Sequence, residues 1–188
     1  MPSLRLFIAI ETPPDLRPQI AAIRDRLKAS DADVKWEPNE KLHATIKFLG
    51  NTDDHLLPEI VSYIRGGCQK FAPFQIRYKG VGCFPNSRTP RVIWVGMDEP
   101  GGNLNLLHLE IDSGLVALGF EREEKRFHPH VTLGRVKSNK KIHSLLRMME
   151  SITFESQPVT VHEIALMQSE LNASGSVYTI LNSIPLGS

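Results

Sequence analysis

The sequence predicts a mixed fold of helices and strands, internally duplicated, forming one bilobal domain over residues 1–188. Two segments carry the prediction. Phe127-His128-Pro129-His130-Val131-Thr132-Leu133-Gly134-Arg135 alternates after Pro129 as a strand does. Side chains two apart on a strand share a face. His130 and Thr132 therefore face one way, and Val131 and Leu133 the other. Leu42-His43-Ala44-Thr45-Ile46-Lys47-Phe48-Leu49-Gly50 repeats the pattern, with His43 and Thr45 on one face. The histidines lie 87 residues apart, a little under half of the 188-residue chain. Two copies at that spacing mark a repeated unit.

The order of elements supports the duplication. Arg5 to Ile10 is apolar on both faces, as in a central strand. Thr12-Pro13-Pro14-Asp15 has the chemistry of a helix start, with Thr12 as cap. Leu16, Ile20, Ile23 and Leu27 then recur at helical spacing. Val34-Lys35-Trp36 is a short extended piece. The first His-x-Thr strand follows. Asp53 and Asp54 open a second helix with Leu57, Ile60, Val61 and Ile64 on its apolar face. Phe74 to Val81 and Val92 to Met97 read as strands, separated by a loop carrying Arg88 and Arg91.

Then the order recurs. Leu104, Leu107, Ile111, Leu115 and Leu118 make a third helix that Gly119 can stop. The second His-x-Thr strand follows, and then a fourth helix with Ile142, Leu145, Leu146 and Met149. Val159 to Leu166 and Val177 to Leu181 read as two closing strands. Val92 to Met97 has to end one repeat and begin the next, which predicts a chain that crosses between lobes.

Composition narrows the classes. Hydrophobic content of 41% and charged content of 23% are ordinary for a globular domain. A net charge of +1 gives no bulk attraction to nucleic acid, so any anion site is a local cluster. Cys68 and Cys83 stand in no metal-like spacing and read as free thiols of a reducing compartment. No apolar run is long enough to cross a membrane, and the first residues do not form a signal peptide. The expected location is cytoplasmic.

A pseudo-two-fold axis between the halves would set two imidazoles and two hydroxyls along one groove. Histidine titrates near neutrality, so one ring can act as base and its twin as acid. That suits an in-line displacement at phosphorus, with Thr45 and Thr132 bonding the non-bridging oxygens and no metal or other cofactor needed. On a regular strand Phe48 goes to the core with Ala44 and Ile46, while Lys47 joins His43 and adds positive charge.

The chain resembles the 2H phosphoesterases, and among them the bacterial and archaeal RNA 2′,3′-cyclic phosphodiesterases, also called 2′-5′ RNA ligases. The residues that carry the resemblance are Arg5-Leu6-Phe7-Ile8-Ala9, His43-Ala44-Thr45-Ile46, Lys47-Phe48-Leu49-Gly50, Phe84-Pro85 before Val92-Ile93-Trp94-Val95-Gly96, and Pro129-His130-Val131-Thr132-Leu133-Gly134-Arg135. The resemblance implies an α+β, bilobal, internally duplicated 2H phosphoesterase (LigT-like) fold: two antiparallel sheets with outer helices and a central groove. It implies hydrolysis of a ribose 2′,3′-cyclic phosphate to a 2′-phosphomonoester, on RNA ends or nucleotides. The expected state of the chain is a monomer. It makes His43 the proton donor and His130 the proton acceptor. Arg135 and Lys47 are the candidate substrate contacts. Three rivals remain: the same site run in reverse as a 2′-5′ RNA ligase, a non-catalytic RNA-end binding module, and a metal hydrolase built on His128 and His130. Chelator sensitivity separates the last.

Overall fold

The computed structural model describes residues 3–173 and 175–187; Met1, Pro2, Ser174 and Ser188 lie outside them. In chain order the elements are β1 (Ser3–Glu11), α1 (Arg17–Lys28), β2 (Val34–Trp36), β3 (His43–Asp53), α2 (Leu57–Cys68), β4 (Phe74–Phe84), β5 (Val92–Asp98), α3 (Asn103–Leu115), β6 (His130–Val136), α4 (Ile142–Glu150), β7 (Val159–Val161), β8 (Glu163–Asn172) and β9 (Gly175–Pro185). Gly119, just past α3, has a φ of 87° and ends that segment as a glycine can. Thr12 does not cap α1: it is buried beside Tyr78, and the first helical turn forms later, around Pro18.

The strands lie in the order β7-β4-β5-β6-β3-β1-β8-β9, with β2 added to the free end of β6. All pairings are antiparallel. Two half-sheets result, β4-β5-β6 with β2 and β7, and β3-β1-β8-β9. Among the described residues Ala44 on β3 and Val131 on β6 form the one ladder pair that joins them. The chain does cross between lobes. β4 leaves the first half for the second, and β8 and β9 return to complete the first. Val92 to Asp98 therefore belongs wholly to the second half, between β4 and β6.

The stretch from Val159 to Leu166 is not one strand. It breaks at His162, so that β7 pairs with β4 in one half and β8 with β1 in the other. The helices cross in the same way: α2 and α3 cover the β3 side, α1 and α4 the β6 side. One continuous apolar core lies beneath both halves, reaching from Leu6, Ile8 and Ile10 to Leu145 and Met149. Each fully buried Leu or Ile contributes about 1.5–3 kcal/mol to holding helices on sheet. Gly134 on β6 matters for a different reason. A Cβ there would come within 2.7 Å of Val34 and 2.8 Å of Trp36, so only glycine lets β2 dock.

Candidate active site

Ala44 follows His43, and Val131 follows His130, so the pair joining the half-sheets consists of equivalent residues of the two repeats. The pseudo-two-fold axis passes through it. Ala44 and Val131 point into the core, at 3% and 0% exposure. Their neighbours His43, Thr45, His130 and Thr132 must then point the other way, into the groove. Antiparallel register about the pair sets His43 on the side of Thr132, and Thr45 on the side of His130. The imidazoles stand diagonally across the axis.

Each imidazole is tethered in the same way. His130 Nδ1 lies 2.7 Å from the carbonyl oxygen of His128, and His43 hydrogen-bonds the backbone of Lys41. In both cases the anchor is two residues upstream. A carbonyl accepts only, so Nδ1 of His130 carries the proton and Nε2 is free to face a substrate. Aromatic walls back both rings. Phe7 and Tyr178 lie 5.0 and 5.3 Å from His43, and Phe84 lies 4.9 Å from His130.

This enclosure sets the charge state. Burial pushes the pKa of His43 down to about 4, against the opposing hydrogen bond to Lys41, and the charge of His130 lowers it further. Burial also lowers His130, opposed by its bond to His128 and reinforced by the charges of His128 and Arg135. Both rings are held neutral when the groove is empty at neutral pH. An anion between them would reverse that preference.

The strands then depart from regular alternation. β3 carries a bulge at Ile46: Thr45 is opposite Ala9, but Lys47 is already opposite Ile8. β6 carries its counterpart at Leu133, between the pairs Thr132–Trp94 and Gly134–Ile93. An extra residue flips everything after it to the opposite face. Lys47 is therefore not a groove residue, as regular alternation has it. It is 2% exposed, and its ammonium donates to Asp112 of α3 at 2.5 Å and to the Glu121 carbonyl at 2.8 Å. Phe48 leaves the core face for solvent, at 65% exposure and 6.1 Å from Phe7. The same flip brings Arg135 round to the groove, where its charge reaches His130 and Tyr178. Its guanidinium is half free, with Glu37 loosely placed at 3.7 Å.

The groove also holds residues that sequence reasoning did not assign to it: Phe7, Phe48, Tyr178, Phe84 and Trp94. The repeat itself signals Phe48, because it stands five residues after His43 as Arg135 stands five after His130. Tyr178 arrives by the crossing of β9, which no local pattern announces. Among the described residues no three His, Cys, Asp or Glu side chains gather closely enough to hold a metal ion. His128 packs on Trp94 and Phe84 instead, at 4.9 and 5.1 Å.

Comparison with known proteins gives a consistent picture. Residues 12–173 match the family model described as the 2′-5′ RNA ligase superfamily. A Methanothermobacter thermautotrophicus protein named RNA 2′,3′-cyclic phosphodiesterase is 35% identical, over 94% of this chain and 95% of its own. A protein of the same name from Aquifex aeolicus is 33% identical, over 89% and 92%. A crystal structure from Thermus thermophilus superposes with a TM-score of 0.80 at 28% identity, covering 98% of this chain and all of the other. Escherichia coli LigT complexed with 3′-AMP superposes with a TM-score of 0.78 at 24% identity, which shows a shared fold.

Proposed function

The chain belongs to the 2′-5′ RNA ligase superfamily, and from that premise we propose that it hydrolyses ribose 2′,3′-cyclic phosphates at RNA ends to 2′-phosphomonoesters. The relatives named RNA 2′,3′-cyclic phosphodiesterase support the reaction. The single observation that carries the mechanism is the diagonal pair of tethered imidazoles about the Ala44–Val131 axis.

His130 takes a proton from water, whose oxygen attacks phosphorus. The P–O3′ bond breaks in line, and His43 gives its proton to the departing O3′. Thr45 and Thr132 donate to the non-bridging oxygens, and Arg135 offsets their charge. The anionic phosphate supplies what the empty groove lacks: it raises the imidazole pKa values and so loads His43 with the proton it must give. Which histidine is acid follows the family pattern, since the pseudo-symmetry treats the two alike. With a 5′-hydroxyl in place of water the same groups would run 2′-5′ ligation, and an assay in both directions weighs the two. Cys68 and Cys83 are both free, which supports a reducing, cytoplasmic location. Among the described residues no helix is long and apolar enough to cross a membrane. We expect the enzyme to elute as a monomer.

The test is kinetic. A positioned acid or base contributes roughly 10²- to 10⁴-fold. His43→Ala and His130→Ala should each lose at least the lower amount on a cyclic phosphate while remaining folded. An aryl phosphodiester, whose phenolate departs without a proton, should rescue His43→Ala and not His130→Ala. Near-native turnover of cyclic phosphate by either variant would sink the paired mechanism. Rescue in His130→Ala alone would exchange the roles.

A further inference from the structure

Buried charges recur in register with the histidines. Arg24 on α1 and Asp112 on α3 are 88 residues apart, against 87 for His43 and His130, and both are buried. Each is aimed at the segment that leads into a histidine. Arg24 donates through Nη1 to the Glu37 carbonyl at 2.7 Å and to Asn39 Oδ1 at 2.8 Å. That fixes the short turn ending at Lys41, the anchor of His43. Asp112 Oδ1 accepts from Lys47 at 2.5 Å and from the Glu123 N–H at 3.1 Å. Lys47 donates in turn to the Glu121 carbonyl at 2.8 Å. Four residues earlier on α3, the buried ring of His108 lies parallel to Phe127, 4.1 Å away. Phe127 adjoins His128, the anchor of His130.

Residues 119–129 need such fixing. They form neither helix nor strand, and the side chains from Glu121 to Arg126 are all exposed. A segment with so little apolar burial opens readily unless its backbone is tied down. A buried ion pair adds little stability that two apolar residues would not supply. It can, however, hold backbone. Asp112 and Lys47 between them engage one N–H and one carbonyl of this loop, which apolar side chains cannot do. From Pro129 onward β5 takes over, with the Met97 N–H donating to the Pro129 carbonyl at 3.1 Å. We infer that Asp112 and Lys47, with the His108–Phe127 stack, are positioning residues for His130. They set the His128 carbonyl that keeps the proton on Nδ1 and leaves Nε2 free. Lys47 thereby ties the first motif strand to the histidine of the second. This inference rests on the catalytic reading of the groove.

The test uses Lys47→Met combined with Asp112→Leu, which removes both backbone anchors and leaves neither partner charged and unpaired. An NMR spectrum of the imidazole nitrogens, taken on the free protein above the histidine titrations, reports which nitrogen of His130 holds the proton. His130→Ala and His43→Ala assign the signals. Wild type should show His130 protonated on Nδ1. The double variant should lose that preference at His130 and keep the His43 signals. On a cyclic phosphate its kcat should fall about 100-fold at unchanged KM, as expected for an ångström of misplacement. In a His130→Ala background the same two changes should lower kcat no further, because they act through that ring. His108→Leu takes away the flat partner of Phe127, together with a buried Nε2 that has no hydrogen-bond partner among the described residues. It should shift the same His130 signal, and it carries the test if the double variant does not fold. An unaltered His130 signal in every variant that folds would overturn the inference. So would a further loss of kcat in the His130→Ala background. If the His130 signal responds as expected while the wild type opens no cyclic phosphate, the positioning stands and the hydrolase reading falls.

Discussion

At the scale of single residues the proposed site works against its own chemistry until substrate arrives. Burial holds His43 near a pKa of about 4 and lowers His130 from its ordinary value as well. The ratio kcat/KM reports the free enzyme, and kcat the complex. Both limbs of a bell-shaped kcat/KM profile should therefore lie below about pH 6.5, with the rate falling above it as the last shared proton leaves the pair. A bound phosphodiester anion favours the imidazolium, so the kcat profile should move to higher pH on both limbs. Measuring the two profiles on one cyclic phosphate checks this. Coincident profiles would mean that the phosphate does not lie against the histidines.

At the scale of elements, the limits of sequence reading are physical. The alternation of His43, Ala44, Thr45 and Ile46 is sufficient to choose faces, because period two follows from strand geometry. It fails at Lys47 because a bulge inserts one residue, and nothing in Ile46-Lys47 distinguishes a bulged strand from a regular one. The same blindness applies to Val159 to Leu166: its apolar run is continuous, while its hydrogen-bond partners change half-sheet at His162. The histidines and threonines are legible since the duplication repeats them; the aromatic walls beside them are not, because their members come from separate strands. The bulge also makes a prediction. It sends Lys47 to Asp112. Burial pushes the Asp112 carboxyl up, but hydrogen bonds from Lys47 and the Glu123 N–H bring it below the usual range. Breaking a buried pair costs about 3–5 kcal/mol, while replacing both partners by apolar groups is often neutral. Lys47→Met should lose about that much in denaturant unfolding, and adding Asp112→Leu should recover most of it. If Lys47→Met unfolds at the wild-type midpoint, the pair is not holding α3 and the Glu121 loop to the motif strand.

At the scale of the whole molecule, the groove that lowers two histidines must also tie folding to acid. A chain unfolded at about pH 5 protonates His43 and His130 near their ordinary value of about 6.5; the folded chain resists. Between those values the unfolded state binds more protons, so stability rises with pH and falls as pH drops. The window runs from the ordinary 6.5 down to the folded value of about 4 for His43. A second window lies lower. Arg24 and Lys28 hold Asp25 at about 2, and Asp112 also stays below its ordinary value. Their contribution is present above the unfolded carboxylate range and is lost as pH falls from that range through the lower folded values. Two separate losses are expected, one from the site and one from the scaffold. The variant His43→Asn with His130→Asn removes only the first. Its denaturant midpoint should be flat from about pH 6.5 to about 4.5, where the wild type declines, and both proteins should weaken together below about pH 4. Equal slopes in the upper window would show that the histidines titrate alike in the folded and unfolded chains, and the case for a desolvated acid–base pair would lose its physical basis.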